Sequence, residues 1–190
     1  MNEEILKNFG PLGPLEGIWE GDTGDDAAPG TDRQKVINKF RERMVFEPRG
    51  PVSNHEQKLY GFLYSTQAFL LGEKDPFHDE VGYWLWDPAL KQLTRSITIP
   101  RGMVILAGGT AEADAKSFKL KADLGSKTYG ICSNPFLDAE FQTVKYEIEM
   151  KFNADGSFSY DQNTFLKIKG QEKLFEHRDI NTLRKVSPAK

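Results

Sequence analysis

The sequence predicts an all-β protein, an antiparallel up-and-down β-barrel of about ten strands behind a short N-terminal cap. Three observations lead there. Apolar and polar residues alternate at period two along most of the chain, hairpin-type turns separate the alternating runs, and helical periodicity is nearly absent. A meander with one apolar face loses its unpaired edges by closing on itself.

The elements follow in order. Residues 1–14 read as the cap: Glu3 to Phe9 suits a short helix, ended by Gly10-Pro11 and Gly13-Pro14. Residues 15–186 form a single barrel domain, and 187–190 a tail. Leu15 to Gly21 gives the first strand. Asp22 to Asp32 is rich in Gly, Asp, Ala and Pro and reads as an exposed, mobile loop. Strands are expected near 39–47, 56–70, 80–87 and 102–111. Between the last two, Leu93, Arg95, Ile97 and Ile99 alternate with Thr94, Ser96 and Thr98. Phe118, Leu120, Ala122 and Leu124 alternate with lysines and Asp123. Residues 125–142 break the alternation, with Pro135-Phe136-Leu137 as a short helical turn or lid. The clearest run sets Val144, Tyr146, Ile148, Met150 and Phe152 against charged neighbours. Asn153-Ala154-Asp155-Gly156 then supplies a hairpin turn. Phe158 to Ile168 is the next strand, and Leu174 to Val186 the last.

A barrel of about ten strands is wider than an eight-stranded one, which side chains just fill, so an internal cavity follows from the strand count. Tyr160, Gln162 and Thr164 share the inward phase with Phe158 and Leu166. Buried polar groups need partners, so these three either satisfy one another or line a ligand cavity.

Composition narrows the function classes. The 190 residues carry 25 basic and 28 acidic side chains, a net charge of −3, which offers no basic field for nucleic acid. The single cysteine, Cys132, excludes an internal disulfide and a cysteine metal cluster and reads as a small packed residue. Met1-Asn2-Glu3-Glu4 has the wrong sign for a secretory signal, and no apolar run approaches the roughly 20 residues of a membrane span. A cytoplasmic protein without a membrane partner is expected. No Gly-x-Ser-x-Gly elbow and no phosphate loop are present.

The histidines, His55, His78 and His177, lie on separate segments without metal-ligand spacing. Their meeting in space, as in a zinc site, stays open. His177 shares a strand phase with Phe175, Asn181 and Leu183. It is either a hydrogen-bonded barrel residue or a ligand, since a neutral imidazole facing an apolar pocket suits an iron site that binds gases. Gly17-Ile18-Trp19-Glu20-Gly21 on the first strand resembles the Gly-x-Trp of calycin-like barrels, which implies that the Trp19 indole plugs one barrel end with Arg184, near the end of the last strand, as its cation–π partner.

Several segments taken together resemble a known family. They are Gly-x-Trp-x-Gly near the start, Pro76-Phe77-His78-Asp79-Glu80-Val81-Gly82-Tyr83-Trp84, Pro100-Arg101-Gly102 before Ala107-Gly108-Gly109, and Leu174-Phe175-Glu176-His177-Arg178-Asp179 with Leu183-Arg184. In order and spacing they are similar to the nitrobindin-type heme-binding barrels, calycin-like proteins also described as fatty-acid-binding-protein-like, and closest to a bacterial branch. The likeness runs from about residue 12 to 186. It implies a ten-stranded barrel that binds heme b through a last-strand histidine, here His177. It also implies reversible nitric oxide binding, or isomerisation of peroxynitrite to nitrate, at a five-coordinate iron. The sequence departs from the family where typical members carry Tyr-Pro-Thr after the tryptophan motif: here the segment is the longer, acidic Asp22 to Asp32.

Two rival readings accompany this one. A non-enzymatic carrier of a fatty-acid-like molecule needs an inward cation for the carboxylate, and Arg95, Arg41 and Arg43 are the candidates. A barrel without a ligand would serve as an interaction module. The partner expected is a small molecule, and the sequence leaves monomer and homodimer open.

Overall fold

The computed structural model describes residues 3–187. A short helix, α1 (Glu3–Leu6), runs into a 3-10 segment (Lys7–Leu15). Eleven strands follow: β1 (Gly17–Pro29), β2 (Lys35–Asn54), β3 (Gln57–Leu70), β4 (His78–Asp87), β5 (Gln92–Ile99), β6 (Met103–Thr110), β7 (Ser117–Asp123), β8 (Ile131–Ser133), β9 (Phe141–Phe152), β10 (Phe158–Ile168) and β11 (Phe175–Ser187). A second helix, α2 (Pro135–Glu140), lies between β8 and β9.

Ten of the strands close into one antiparallel barrel in chain order, with β1 pairing both β2 and β11, and β5 pairing β6. The remaining strand, β8, pairs with β6 at Met103–Ile105 and lies outside the ring order. The up-and-down barrel and its cap are thus as expected from the alternation. The chain enters α2 at Pro135, and the Asn134 side chain accepts from the Leu137 N–H at 3.0 Å, an ordinary N-cap. The expected tail divides: Ser187 belongs to β11, and residues 188–190 lie outside the described residues, as do Met1 and Asn2.

The cap plugs one end. Phe9, Leu12 and Leu15 are fully buried, and the Phe9 ring lies 5.0 Å from that of Phe62. Burying three such side chains contributes on the order of 5 kcal/mol or more. Gly10 has φ of 56°, and a Cβ there would stand 2.4 Å from the Trp86 ring, so the cap reaches this depth only with glycine at that turn.

Two strands depart from the sequence expectation. Asp22 to Asp32 is largely strand: β1 continues to Pro29, paired with β2 from Gly24↔Phe40 to Pro29↔Lys35. Its polar composition suggested a loop because both barrel faces here are partly polar. A one-residue shift between Gly21 and Gly24 also reverses the alternation, with Trp19 inward before it and Gly24, Asp26 and Ala28 inward after it. On β9 a second shift, opposite Phe165/Leu166, brings Thr143 to the buried face instead of Val144. Cys132 is exposed on β8, not packed.

The plugged end also corrects the partner of Trp19. The indole Nε1 donates to the Leu15 carbonyl at 2.7 Å, and the cation near the ring is Lys185, with Nζ 6.0 Å from the centroid. Arg184 points outward and pairs with Asp155 at 2.7 Å. Parity is the reason: Leu183 and Lys185 share a phase on β11, and Arg184 belongs to the other.

Candidate functional site

The barrel encloses a cavity of about 530 Å³, open at the end opposite the cap. Phe46, Trp84, Met150 and Phe158 form its floor beside the cap. Phe77, Arg101, Leu137 and Phe141 stand near its mouth. Every strand of the ring except β7 contributes to the lining.

A belt of polar side chains crosses the cavity. Arg95 on β5 faces inward and is 3 % exposed. Its guanidinium pairs with Glu80 and hydrogen-bonds Tyr146, Tyr64 and Gln162. Glu80 also accepts from the Tyr64 hydroxyl at 2.8 Å and contacts His78 Nε2 at 3.2 Å. Burial alone would raise the Glu80 pKa, but Arg95 and His78 outweigh it and hold the carboxyl at about 2. Gln162 accepts from Tyr146 at 2.7 Å and donates through Nε2 to Asp179 Oδ2 at 3.3 Å. A second cluster surrounds Glu42, which accepts from Tyr160, Thr66 and Asn181. Among the described residues no cation pairs with Glu42, so desolvation dominates and pushes its pKa up to about 7. The inward Tyr160 and Gln162 therefore have partners and line the cavity at once.

His177 sits on the β11 wall. Its Nε2 lies 2.9 Å from Asp26 Oδ1 and 3.5 Å from Asp179 Oδ1. Two register facts produce this arrangement. Asp179 follows His177 by two residues on one strand and shares its face, and Asp26 pairs directly with Asp179 across the β1–β11 ladder. Nδ1 makes no hydrogen bond among the described residues and is not buried. Burial disfavours a charged ring, yet hydrogen bonds to Asp179 and Asp26 and their negative charge prevail, pushing the His177 pKa up to about 10. Burial likewise opposes the Asp26 charge, and His177 and Asn38 overcome it, so that carboxyl titrates below its usual range. By the strand order, β5 and β6 stand across the barrel from β11, and there Ile97, Ile99, Met103 and Ile105 form an apolar patch between Arg95 and Arg101.

The other sequence candidates fall in different places. Arg41 and Arg43 project outside the barrel: Arg41 stacks on Phe69 and donates to the Glu73 carbonyl, and Arg43 lies 3.4 Å from Glu20. Both alternate with the inward Phe40, Glu42 and Met44, so neither can reach a ligand in the cavity. His55 occupies a turn at φ of 54°, and His78 lines the cavity together with His177. Asp26, Glu42, Glu80 and Asp179 were missed from sequence. Asp179 alone had a local signal, two residues beyond His177 on the same phase.

The comparisons with known proteins agree with this architecture. The crystal structure of Rv2717c from M. tuberculosis superposes with a TM-score of 0.65 at 20% identity, covering 92% of this chain and 94% of that one, a likeness of fold. No curated protein matches the sequence. The model of the THAP4-like, heme-binding beta-barrel domain matches residues 8–185, nearly the whole chain. With its closed ten-stranded barrel and an inward histidine on the last strand, the chain belongs to this THAP4-like family of heme-binding β-barrel domains.

Proposed function

We propose that the cavity binds heme with His177 as the protein ligand to iron, and that the bound group would take nitric oxide or act on peroxynitrite. The observation that carries this reading is the state of the His177 ring. Nε2 is tied to a carboxylate, Nδ1 makes no hydrogen bond among the described residues, and Ile97, Ile99, Met103 and Ile105 present an apolar patch across the cavity. Histidine ligands of metals characteristically donate the other ring N–H to a carboxylate, which fixes tautomer and orientation. The residues present therefore fit the group. The donor is in place, and the cavity lies within the range of small-molecule and cofactor sites. His78, the second histidine of the cavity, is held by Glu80.

When bound, heme iron supplies an open coordination position for nitric oxide and a Lewis acid for peroxynitrite. The chain supplies the surroundings. Asp26 and Asp179 keep one proton on Nε2, so Nδ1 carries the lone pair once the ring is neutral. Ile97, Ile99 and Ile105 keep water from the facing side, and the cap residues close the far end.

The carrier reading has less support. Arg95 is neutralised by Glu80, so an incoming carboxylate would have to displace that partner.

Hemin titration tests the proposal. The wild-type protein should develop a bound-hemin Soret band that shifts reversibly with nitric oxide. His177→Ala should abolish the band and leave the far-UV circular dichroism unchanged. A wild-type protein without the band would overturn heme binding, and a band retained in His177→Ala would overturn the ligand assignment.

A further inference from the structure

We infer that Asp26, Asp179 and His177 form a binding site for a divalent transition-metal ion, a site separate from the heme position and occupied through the other nitrogen of the same ring. The inference does not rest on heme binding.

The three donor atoms lie within 4.8 Å of one another. In a tetrahedral site with ligands about 2.1 Å from the metal, neighbouring donor atoms stand about 3.4 Å apart. The two distances from His177 Nε2, 2.9 and 3.5 Å, bracket that value.

An independent feature lies behind the donors. Asn38 Nδ2 holds Asp26 Oδ2 at 2.8 Å, and Gln162 Nε2 holds Asp179 Oδ2 at 3.3 Å. Each carboxylate is anchored through its outer oxygen by an amide, and each turns its Oδ1 toward Nε2. Ligating carboxylates characteristically have this outer hydrogen bond, which orients them before the metal arrives. Asp26 is 2 % exposed, so the site is built into the wall and not laid on the surface. The cavity borders all three residues, leaving room for water in the remaining coordination positions, as in an open metal site.

The donor set defines the ligand class. Two carboxylates and a neutral imidazole carry two negative charges, matched to a dication, and this mixed oxygen and nitrogen set suits Zn²⁺, Fe²⁺ or Mn²⁺. A metal on Nε2 moves the ring proton to Nδ1, so this ion and an iron held through Nδ1 exclude one another.

Calorimetric titration of Zn²⁺ into the chelator-stripped full-length protein tests the site. One equivalent should bind. Asp26→Asn and Asp179→Asn should each weaken it at least tenfold, and His78→Gln should not. Zn²⁺ should also raise the wild-type melting temperature, a readout that needs no variant to fold. Absence of a stoichiometric heat and of a thermal shift would overturn the proposal, as would Asp26→Asn binding like wild type. The two readings fail separately. A metal-stripped protein that shows no Soret band but takes up Zn²⁺ loses only the heme reading, and one that takes up hemin but not Zn²⁺ loses only this one.

Discussion

Asp26 of β1 lies directly across the ladder from Asp179 of β11, so one wall of the cavity carries two neighbouring carboxylates. Like charges opposite one another on a sheet destabilise it. Here the His177 ring stands between them and offsets the repulsion, which makes the trio a single electrostatic unit.

The first prediction concerns the proton on that ring. His177 should stay charged through pH 8 in the ligand-free protein, as read from its ring resonances by NMR. Asp26→Asn removes one charge and should lower the pKa by at least one unit, equivalent to about 1.4 kcal/mol of interaction per unit. The folded value lies above the ordinary imidazole value of 6.5. The ring's contribution to stability is therefore complete below pH 6.5 and is lost as the pH rises toward 10. A wild-type ring titrating near 6.5 would contradict the arrangement.

The second concerns the buried pair of Arg95 and Glu80. Removing one partner leaves an uncompensated charge in the cavity wall, so Glu80→Ala should cost about 3–5 kcal/mol in urea unfolding. Replacing both, as in Glu80→Gln with Arg95→Met, should recover much of that loss. A single-variant cost below about 1 kcal/mol would mean that water solvates the pair.

Glu42 gives a pH signature of the same sign as that of His177, in a lower pH window. Its folded pKa, about 7, lies above the ordinary glutamate value of 4.5, so the folded state holds the proton more tightly. Stability from this group is full below pH 4.5 and falls as the pH rises through 7. Glu42→Gln keeps an acceptor for Tyr160 without the charge and should flatten the wild-type decline between pH 5 and 7.5. Equal slopes in the two proteins would show that Glu42 ionises without penalty.

A fourth prediction tests the parity reversal in β1. A Cβ on Gly24 would stand 2.5 Å from the ring of Phe40, which is 2 % exposed. Gly24→Ala should therefore destabilise the barrel by about 1–3 kcal/mol through overpacking. It should also disturb the inward placement of Asp26, weakening Zn²⁺ uptake in parallel. A neutral Gly24→Ala would mean that Phe40 moves aside freely.

Much of the architecture was legible in local pattern. Period-two alternation on β9, β10 and β11 identified the inward faces, but Arg184, the cation expected beside Trp19, is out of phase with Leu183, and Lys185 stands there instead. The inward Tyr160 and Gln162 already marked a polar lining. Asp26 was not legible. Continuing the alternation from Trp19 puts position 26 outside, and only the one-residue shift between Gly21 and Gly24 turns it inward.

The sequence by itself determined most of the strands, the closed barrel, the cap and the face on which His177 lies, because side-chain direction along a strand is a local property with a fixed period; the second half of β1 and the short β8 did not show in it. Tertiary structure decided what that face would do. The partner of Arg95 comes from β4, the anchor of Asp179 from β10 and the second carboxylate beside His177 from β1. These neighbours are set by register between strands distant in the chain, and a single bulge changes register without leaving a periodic trace. The charge state of His177 follows from them, because it depends on which carboxylates the closed barrel brings within 4 Å of Nε2.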